Sequence, residues 1–107
     1  MKWQNKVQLI GYLGSDPKVY ERPKGGFCAI LWLATNSGFS KEGSHRETFW
    51  HKVMVCGKDL GWVCKQLIKG SHVLVEGSLA YRKFFDTRGI ERSCAEIRAE
   101  QLVNLDR

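Results

Sequence analysis

The chain has 107 residues, a length that suits one domain with a modest core, and we expect residues 1–107 to form a single domain. Hydrophobic residues make up 43% and charged residues 26%, a balance typical of a globular chain and not of a disordered one. The net charge of +6 favours an anionic partner but does not choose among nucleic acid, acidic protein and membrane surface. No apolar run approaches the roughly 18–20 residues of a membrane span, and the N-terminus lacks a hydrophobic signal core, so we expect a cytoplasmic location.

The cysteine and histidine pattern does not predict a metal site. The four cysteines are widely spaced and none belongs to a C-x-x-C pair, and the three histidines are scattered. We therefore expect no metal and no cofactor, and we expect free thiols in a reducing compartment. These thiols are Cys28, Cys56, Cys64 and Cys94.

The first part of the chain reads as strands separated by turns. Residues 5–13 alternate in polarity, and residues 14–17 (G-S-D-P) predict a turn. Residues 18–21 form at most a short extension. Residues 27–35 are apolar on both faces, so we expect both faces of this strand to be covered. Residues 36–46 are polar and glycine-containing, which predicts a long loop.

Residues 48–58, T-F-W-H-K-V-M-V-C-G-K, predict the third strand. Strand alternation predicts two faces, and we interpret the second as the core face. The first has Trp50, Lys52, Met54 and Cys56, and the second has Phe49, His51, Val53 and Val55. An aromatic ring beside a positive charge suits a stacked nucleobase with its phosphate alongside. It suits equally well a tryptophan at the rim of a subunit contact. This stretch alone leaves both interpretations open.

The period then changes to that of an amphipathic helix, with an apolar stripe formed by Leu60, Val63, Cys64, Leu67 and Ile68. Asp59 is a suitable N-cap and Gly70 a suitable stop. Residues 71–82 return to strand, and Gly77 within them predicts a bulge or bend. Residues 91–104 supply the last strand.

This order of elements predicts an all-β fold. Three strands, one helix and two more strands match the five-stranded Greek-key barrel of the OB-fold, with its helix between strands 3 and 4. Internal glycines in strongly bent strands are what the closure of so small a barrel requires.

Enzyme signatures are missing from the sequence. It has no glycine-rich phosphate loop before a helix, no H-E-x-x-H and no G-x-S-x-G. No nucleophile is placed beside His51, so a structural hydrogen bond at the core edge or at a subunit interface is the favoured role of this histidine. We expect a binding protein and not an enzyme.

Aromatic residues instead recur beside cations. The pairs are Phe39 with Lys41, Trp50 with Lys52, and Phe84 and Phe85 with Arg82 and Lys83, and Tyr20 with Arg22 is a weaker fourth pair. Lys58 and Lys69 flank the helix and are candidates for further phosphate contacts. Stacking platforms interleaved with cations are typical of proteins that bind single-stranded nucleic acid, whereas duplex binders more often present a basic recognition helix.

Several motifs resemble one family. They are N-K-V-x-L-I-G-x-L-G-x-D-P at residues 5–17, W-H-K-V at 50–53, K-G-S-x-V-x-V-E-G-x-L at 69–79 and R-K-F-x-D at 82–86. Over residues 5–105 the chain resembles the DNA-binding domain of bacterial-type single-stranded DNA-binding proteins. The resemblance implies an OB-fold that assembles as a homotetramer and binds single-stranded DNA without sequence preference. It also implies a nucleoid-associated role in replication, repair and recombination.

The resemblance also carries residue roles by position. Its stacking aromatics fall on Phe39, Trp50 and Phe84, and its subunit-contact histidine falls on His51. A further stacking ring falls on Cys56, so weaker stacking is expected there. Its basic positions fall on Lys58, Lys69, Arg82 and Lys83.

The end of the sequence departs from the family pattern. Family members usually continue into a flexible linker and an acidic tip that recruits replication and repair proteins, whereas this sequence stops at Arg107. Recruitment through such a tip is therefore not expected. The alternative is a tailless, dimeric OB-fold assembly protein of the primosomal replication protein N type, although the quoted motifs fit the first family better.

Overall fold

The computed structural model describes residues 2–23, 25–36 and 47–106, in which six strands and one short helix are formed. The strands are β1 (Val7–Leu13), β2 (Lys18–Glu21), β3 (Phe27–Asn36), β4 (Thr48–Cys56), β5 (His72–Phe85) and β6 (Glu91–Asn104), and the helix is α1 (Lys58–Cys64). The strand order is β1-β5-β6-β4-β3-β2, and β1 also pairs with β3, which closes the sheet into a barrel. All pairings are antiparallel except that of β4 with β6.

The expectation of an all-β OB-fold is confirmed, with one short segment added. The five predicted strands correspond to β1, β3, β4, β5 and β6, and the helix follows β4 as expected. Residues 18–21 form the separate strand β2, because they pair in register with the beginning of β3, from Glu21 opposite Phe27 to Lys18 opposite Ile30.

The core lies inside the barrel and is built from alternate residues of the strands. The largest fully buried apolar side chains on this inner surface are Leu31, Leu33, Val53, Val55, Val73 and Val75. Burial of each contributes about 1.5–3 kcal/mol relative to an exposed side chain. The predicted core face of β4 is confirmed at Val53 and Val55, but Phe49, predicted for the same face, is 47% exposed near the start of the strand.

Two glycines allow the strands to approach closely where the barrel closes. A Cβ atom on Gly11 would overlap the carbonyl oxygen of Ala34, where β1 meets β3. A Cβ atom on Gly77 would overlap the carbonyl oxygen of Arg98 in β6. The β5–β6 register shifts between Glu76 and Gly77, so the predicted irregularity at Gly77 is confirmed.

The helix is shorter than the sequence pattern predicts. The prediction of Asp59 as N-cap is wrong: Gly57, with φ of 105°, occupies that position, and Asp59 lies in the first turn. The helix ends at Cys64 because the amides of Gln66 and Leu67 bond to carbonyls three residues back, which tightens the chain out of the α conformation. Leu67 still reaches the core, but Ile68 is 65% exposed. Across the described ranges, no helix is long and apolar enough to cross a membrane.

Candidate nucleic-acid interface

The outer face of β3 and β4 carries the first predicted site residues. On β4 this face presents Trp50, Lys52, Met54 and Cys56, as the alternation predicts. On β3 the residues directly opposite them are Ala34, Trp32, Ile30 and Cys28. We call this surface the outer β3–β4 face.

Trp50 is exposed on this face but is held in place from below. Its side chain is 56% exposed, and the residue opposite it is the small Ala34. A Cβ atom on Gly14, in the turn after β1, would overlap the Trp50 ring. The ring therefore packs directly against the Gly14 backbone while more than half of its surface faces solvent.

Trp32 is a candidate site residue that the sequence reasoning missed. It is 43% exposed and lies directly opposite Lys52. The amide of Gly57 donates to the carbonyl of Phe27, at 3.1 Å, so by alternation Trp32 and Lys52 form a non-hydrogen-bonded pair, in which side chains lie closest. The apolar run of residues 27–35 suggested that both faces of β3 are covered. Because the run is apolar on both faces, its polarity pattern does not distinguish the two; the register with β4, which sets Trp32 opposite Lys52, places Trp32 outside.

A hollow of about 760 Å³ lies at the other end of the outer β3–β4 face from Trp50. Met54 and Cys56 of β4 line it, and the parallel pairing of β4 with β6 brings Arg98 beside Met54. The remaining lining comes from the β2 end and from β5 and β6: Tyr20, Arg22, Pro23, Gly25, Arg82, Glu96 and Ala99. We call this feature the arginine hollow.

Charges in the arginine hollow are only partly paired. Glu96 is 3% exposed, and its two carboxylate oxygens lie 3.4 Å from Arg82 Nε and 4.0 Å from Arg98 Nε. Arg22 donates from Nη2 to Cys56 Sγ at 3.0 Å. Burial, followed by a hydrogen bond with the neighbouring Cys28 thiol, raises the pKa of Cys56, so this thiol is protonated near neutral pH.

The structure distributes the predicted phosphate-binding residues along this surface. Lys52 lies in the middle of the outer β3–β4 face, and Lys58 begins α1 just beyond Cys56. The backbone amide of Lys69 donates to Asp16 Oδ1 at 2.8 Å, which places Lys69 beside the turn that supports Trp50. Arg82 lines the arginine hollow.

The β5–β6 hairpin separates the remaining residues. Phe84 is 46% exposed and shares a side of β5 with Arg82, because the two are two residues apart. Phe85, 72% exposed, and Lys83 lie on the other side, where Lys83 pairs with Glu91 at 3.6 Å. The structure therefore joins Phe84 and Arg82 to the candidate interface, and it places Phe85 and Lys83 on the reverse of the hairpin.

Asp86 holds the tip of this hairpin. Its Oδ1 accepts hydrogen bonds from the amides of Arg88 and Ile90 at 2.8 and 3.0 Å, and its Oδ2 lies 3.0 Å from Arg92 Nε. The Ile90 amide, then the Arg92 guanidinium, hold the pKa of Asp86 below its usual value.

His51 makes the structural hydrogen bond that the sequence favours. Its Nε2 lies 2.8 Å from Thr35 Oγ1 across the β3–β4 ladder, and the residue is half-buried. Its role in a subunit interface stays a prediction. The predicted pair of Phe39 and Lys41 lies outside the described residues. Within the described chain, no three His, Cys, Asp or Glu side chains are grouped so that they can hold a metal ion.

An OB-fold barrel that presents exposed aromatics and cations on one face defines a class of nucleic-acid-binding protein. The chain belongs to the single-strand binding protein family, whose model matches residues 4–105. The structure is similar to that of "Plasmodium falciparum SSB complex with ssDNA", with a TM-score of 0.86, 29% sequence identity and coverage of 99% of this chain and 98% of that chain. These findings confirm the resemblance, the OB-fold and the expectation of a binding protein and not an enzyme.

Proposed function

We propose that this protein binds single-stranded DNA along the outer β3–β4 face, without sequence preference. One observation carries the proposal: two exposed tryptophans, Trp50 and Trp32, lie on a single face with Lys52 adjacent to both, two residues from Trp50 on β4 and directly opposite Trp32. Every base offers a π-face to such rings, and a stacked base contributes about 1–3 kcal/mol whatever its identity. Support also comes from the similar structure, which was solved with single-stranded DNA.

The sites that extend the interface are part of this proposal. Phe84 supplies a third stacking ring on the hairpin, and Arg82 binds phosphate from the arginine hollow. Lys69 and Lys58 contact phosphates near the two ends of the face. Phe85 and Lys83 contact the DNA only where it passes around the β5–β6 hairpin to the reverse side.

The biological role proposed is the protection of single-stranded DNA during replication, repair and recombination, in the cytoplasm and in association with the nucleoid. The four cysteines are free thiols, which is consistent with a reducing compartment.

We also propose that the protein assembles as a homotetramer. Support comes from an apolar patch on β1, β5 and β6, where Ile10 lies opposite Leu74 and Leu74 lies opposite Val103. Ile10 is 53% exposed and Val103 44%, and the adjacent Tyr12 stacks on His72 with ring centroids 4.6 Å apart. Contiguous exposed apolar surface of this kind marks subunit contacts more often than free surface. His51 contributes to a subunit contact in this proposal.

The experiment compares two tryptophan variants in titrations with oligo-dT. Trp50→Ala should weaken binding by about 1–3 kcal/mol and remove much of the tryptophan quenching, because a base stacks on this ring. Trp62→Ala is the matched control, since Trp62 is 69% exposed on α1, away from the outer β3–β4 face. It should bind as the wild type does.

Equal affinities for Trp50→Ala and Trp62→Ala would refute the stacking role of Trp50. Weak binding of oligo-dT by the wild type, together with tight binding of a helicase or another replication protein, would favour the primosomal assembly protein instead.

A further inference from the structure

The arginine hollow extends the outer β3–β4 face beyond the tryptophans. From Trp50 to Cys56 the strand rises about 20 Å at roughly 3.3 Å per residue, a length that a strand of several nucleotides spans. A nucleic acid that stacks on Trp50 and Trp32 and continues along β4 therefore arrives at the hollow. At that point the chain has Cys56, which offers no ring.

Arg22 differs from the other arginines of the hollow in its partners. Arg82 and Arg98 both pair with the buried Glu96. Among the described residues Arg22 has no carboxylate partner; its guanidinium donates to the Cys56 sulfur at 3.0 Å and also interacts with the neighbouring Cys28 thiol. A thiol is a weak acceptor, and a guanidinium has five N–H donors, so most of the hydrogen-bonding capacity of Arg22 is left for a ligand.

The overall charge of the hollow also favours an anion. Three guanidiniums surround one carboxylate, and Glu96 holds two of them against the wall of the hollow. Arg22 is exposed at the opening, and its fork of donors matches the oxygens of a phosphate.

We propose that Arg22 binds a phosphate of the single strand in the arginine hollow. The inference rests on the proposed function, since it assigns a new residue to the same nucleic-acid interface. Cys56 acts as a positioning residue, because its sulfur holds the guanidinium at the hollow.

The test measures oligo-dT binding by Arg22→Gln between about 50 and 200 mM salt, with thermal unfolding as a check on the fold. Loss of one charge-assisted phosphate contact should lower the affinity about tenfold at low salt. It should also reduce the slope of log K against log salt by about 0.7. Lys65→Gln, which removes one exposed charge at the C-cap of α1 and outside the hollow, should retain the slope of the wild type.

A second arm places a ring in the hollow. In Cys56→Phe the phenyl group occupies the position of the sulfur to which Arg22 bonds, so Arg22→Gln in that background should lower the affinity about threefold or less. An equal loss in both backgrounds would overturn the positioning role of Cys56. A result for Arg22→Gln no different from that of Lys65→Gln would overturn the phosphate contact itself. Failure of the wild type to bind oligo-dT would instead refute the proposed function.

Discussion

At the scale of single residues, the account depends on how Trp50 is presented. The ring packs on the Gly14 backbone, opposite the small Ala34, so its orientation is fixed while its surface stays available. A fixed ring loses little freedom when a base stacks on it, and preorganisation of this kind favours binding.

Gly14→Ala tests this support. A methyl group at position 14 would overlap the Trp50 ring and must displace it. We expect affinity for oligo-dT to fall about fivefold to fiftyfold, with a shift in tryptophan emission of the free protein. Thermal unfolding should change less than it does for a substitution in the barrel core, since Gly14 is only half-buried and lies in the turn after β1; unchanged affinity would show that the position of the ring is unimportant.

The reactivity of the Cys64 thiol tests the packing of the core around it. The thiol is 1% exposed, and burial raises its pKa from 9.0 to about 11. A raised pKa favours the neutral thiol in the folded state, so its stabilising effect is complete below the ordinary thiol pKa and is lost as pH rises towards about 11. At mildly alkaline pH we expect Cys64 to resist alkylation in the native protein and to react fully in denaturant, as peptide mass spectrometry would measure. Rapid native labelling of Cys64 would contradict this packing.

Trp50, Lys52 and the core role of Val53 follow from the sequence, because strand alternation alone determines which side chains share a face. Trp32 does not follow in the same way, and neither does the place of Arg22 in the hollow, although the sequence shows Arg22 near Tyr20 as a weaker aromatic–cation pair. The first depends on the register between β3 and β4, and the second depends on contacts among segments distant in the chain. Alternation within one strand contains neither kind of information.

At the scale of elements, the β5–β6 hairpin carries Phe84 away from the barrel, and Asp86 maintains its shape. Three hydrogen bonds converge on this carboxylate from the tip and from β6. The hairpin is therefore held by a local polar network and not by burial, since residues 81–85 are all exposed.

Asp86→Ala should loosen the hairpin without unfolding the barrel. Amide exchange at the tip should accelerate, and affinity for oligo-dT should fall about threefold to tenfold because Phe84 is less well ordered. Protection in β3 and β4 should stay as in the wild type. If the amides of residues 88–92 exchange in the variant at the same rates as in the wild type, Asp86 does not order the tip.

The same carboxylate gives the hairpin a pH dependence. Its pKa is lowered in the folded protein, so its contribution is present above the ordinary Asp value and is lost as pH falls through the lowered value. We expect hairpin resonances, followed by NMR, to change only at acidic pH below the ordinary carboxyl range, and to show no such step in Asp86→Asn. A transition near the ordinary Asp pKa would contradict the network.

The C-terminal end of α1 is an element boundary that the sequence does not predict. The apolar stripe extends to Ile68 at helical spacing, but the backbone leaves the helix after Cys64 and still delivers Leu67 to the core. Periodicity reports which side chains are buried and does not distinguish an α-helical end from a tightened turn. The helix itself, its place after β4 and the bulge at Gly77 were nevertheless predictable from local pattern.

At the scale of the whole molecule, closure of the barrel places the proposed DNA-binding surface and the proposed subunit contact on different strands. The outer β3–β4 face continues into the arginine hollow, where the pairing of β4 with β6 brings Arg98 beside Met54. The β1–β5–β6 sheet carries the apolar patch around Ile10. The all-β class was predictable from the order of elements, but this division was not, because it depends on pairings between strands far apart in sequence.

Assembly can be tested through the apolar patch. Ile10→Glu introduces a charge where Ile10 is 53% exposed, so it should leave the folded monomer intact and weaken the proposed tetramer. Light scattering should report four protomers for the wild type and fewer for the variant. An unchanged mass for Ile10→Glu would place the subunit contact elsewhere.

The most direct test of the central claim is a competition measurement. A labelled oligo-dT bound to the wild-type protein is displaced by unlabelled single-stranded DNA or by the duplex of a mixed sequence, at matched nucleotide concentration and moderate salt. Stacking on Trp50 and Trp32 requires unpaired bases, so single strands of different sequence should displace the label equally well and the duplex should need at least about a hundredfold more. Displacement by the duplex at the same concentration as the single strand would contradict the claim that exposed rings on the outer β3–β4 face bind unpaired bases.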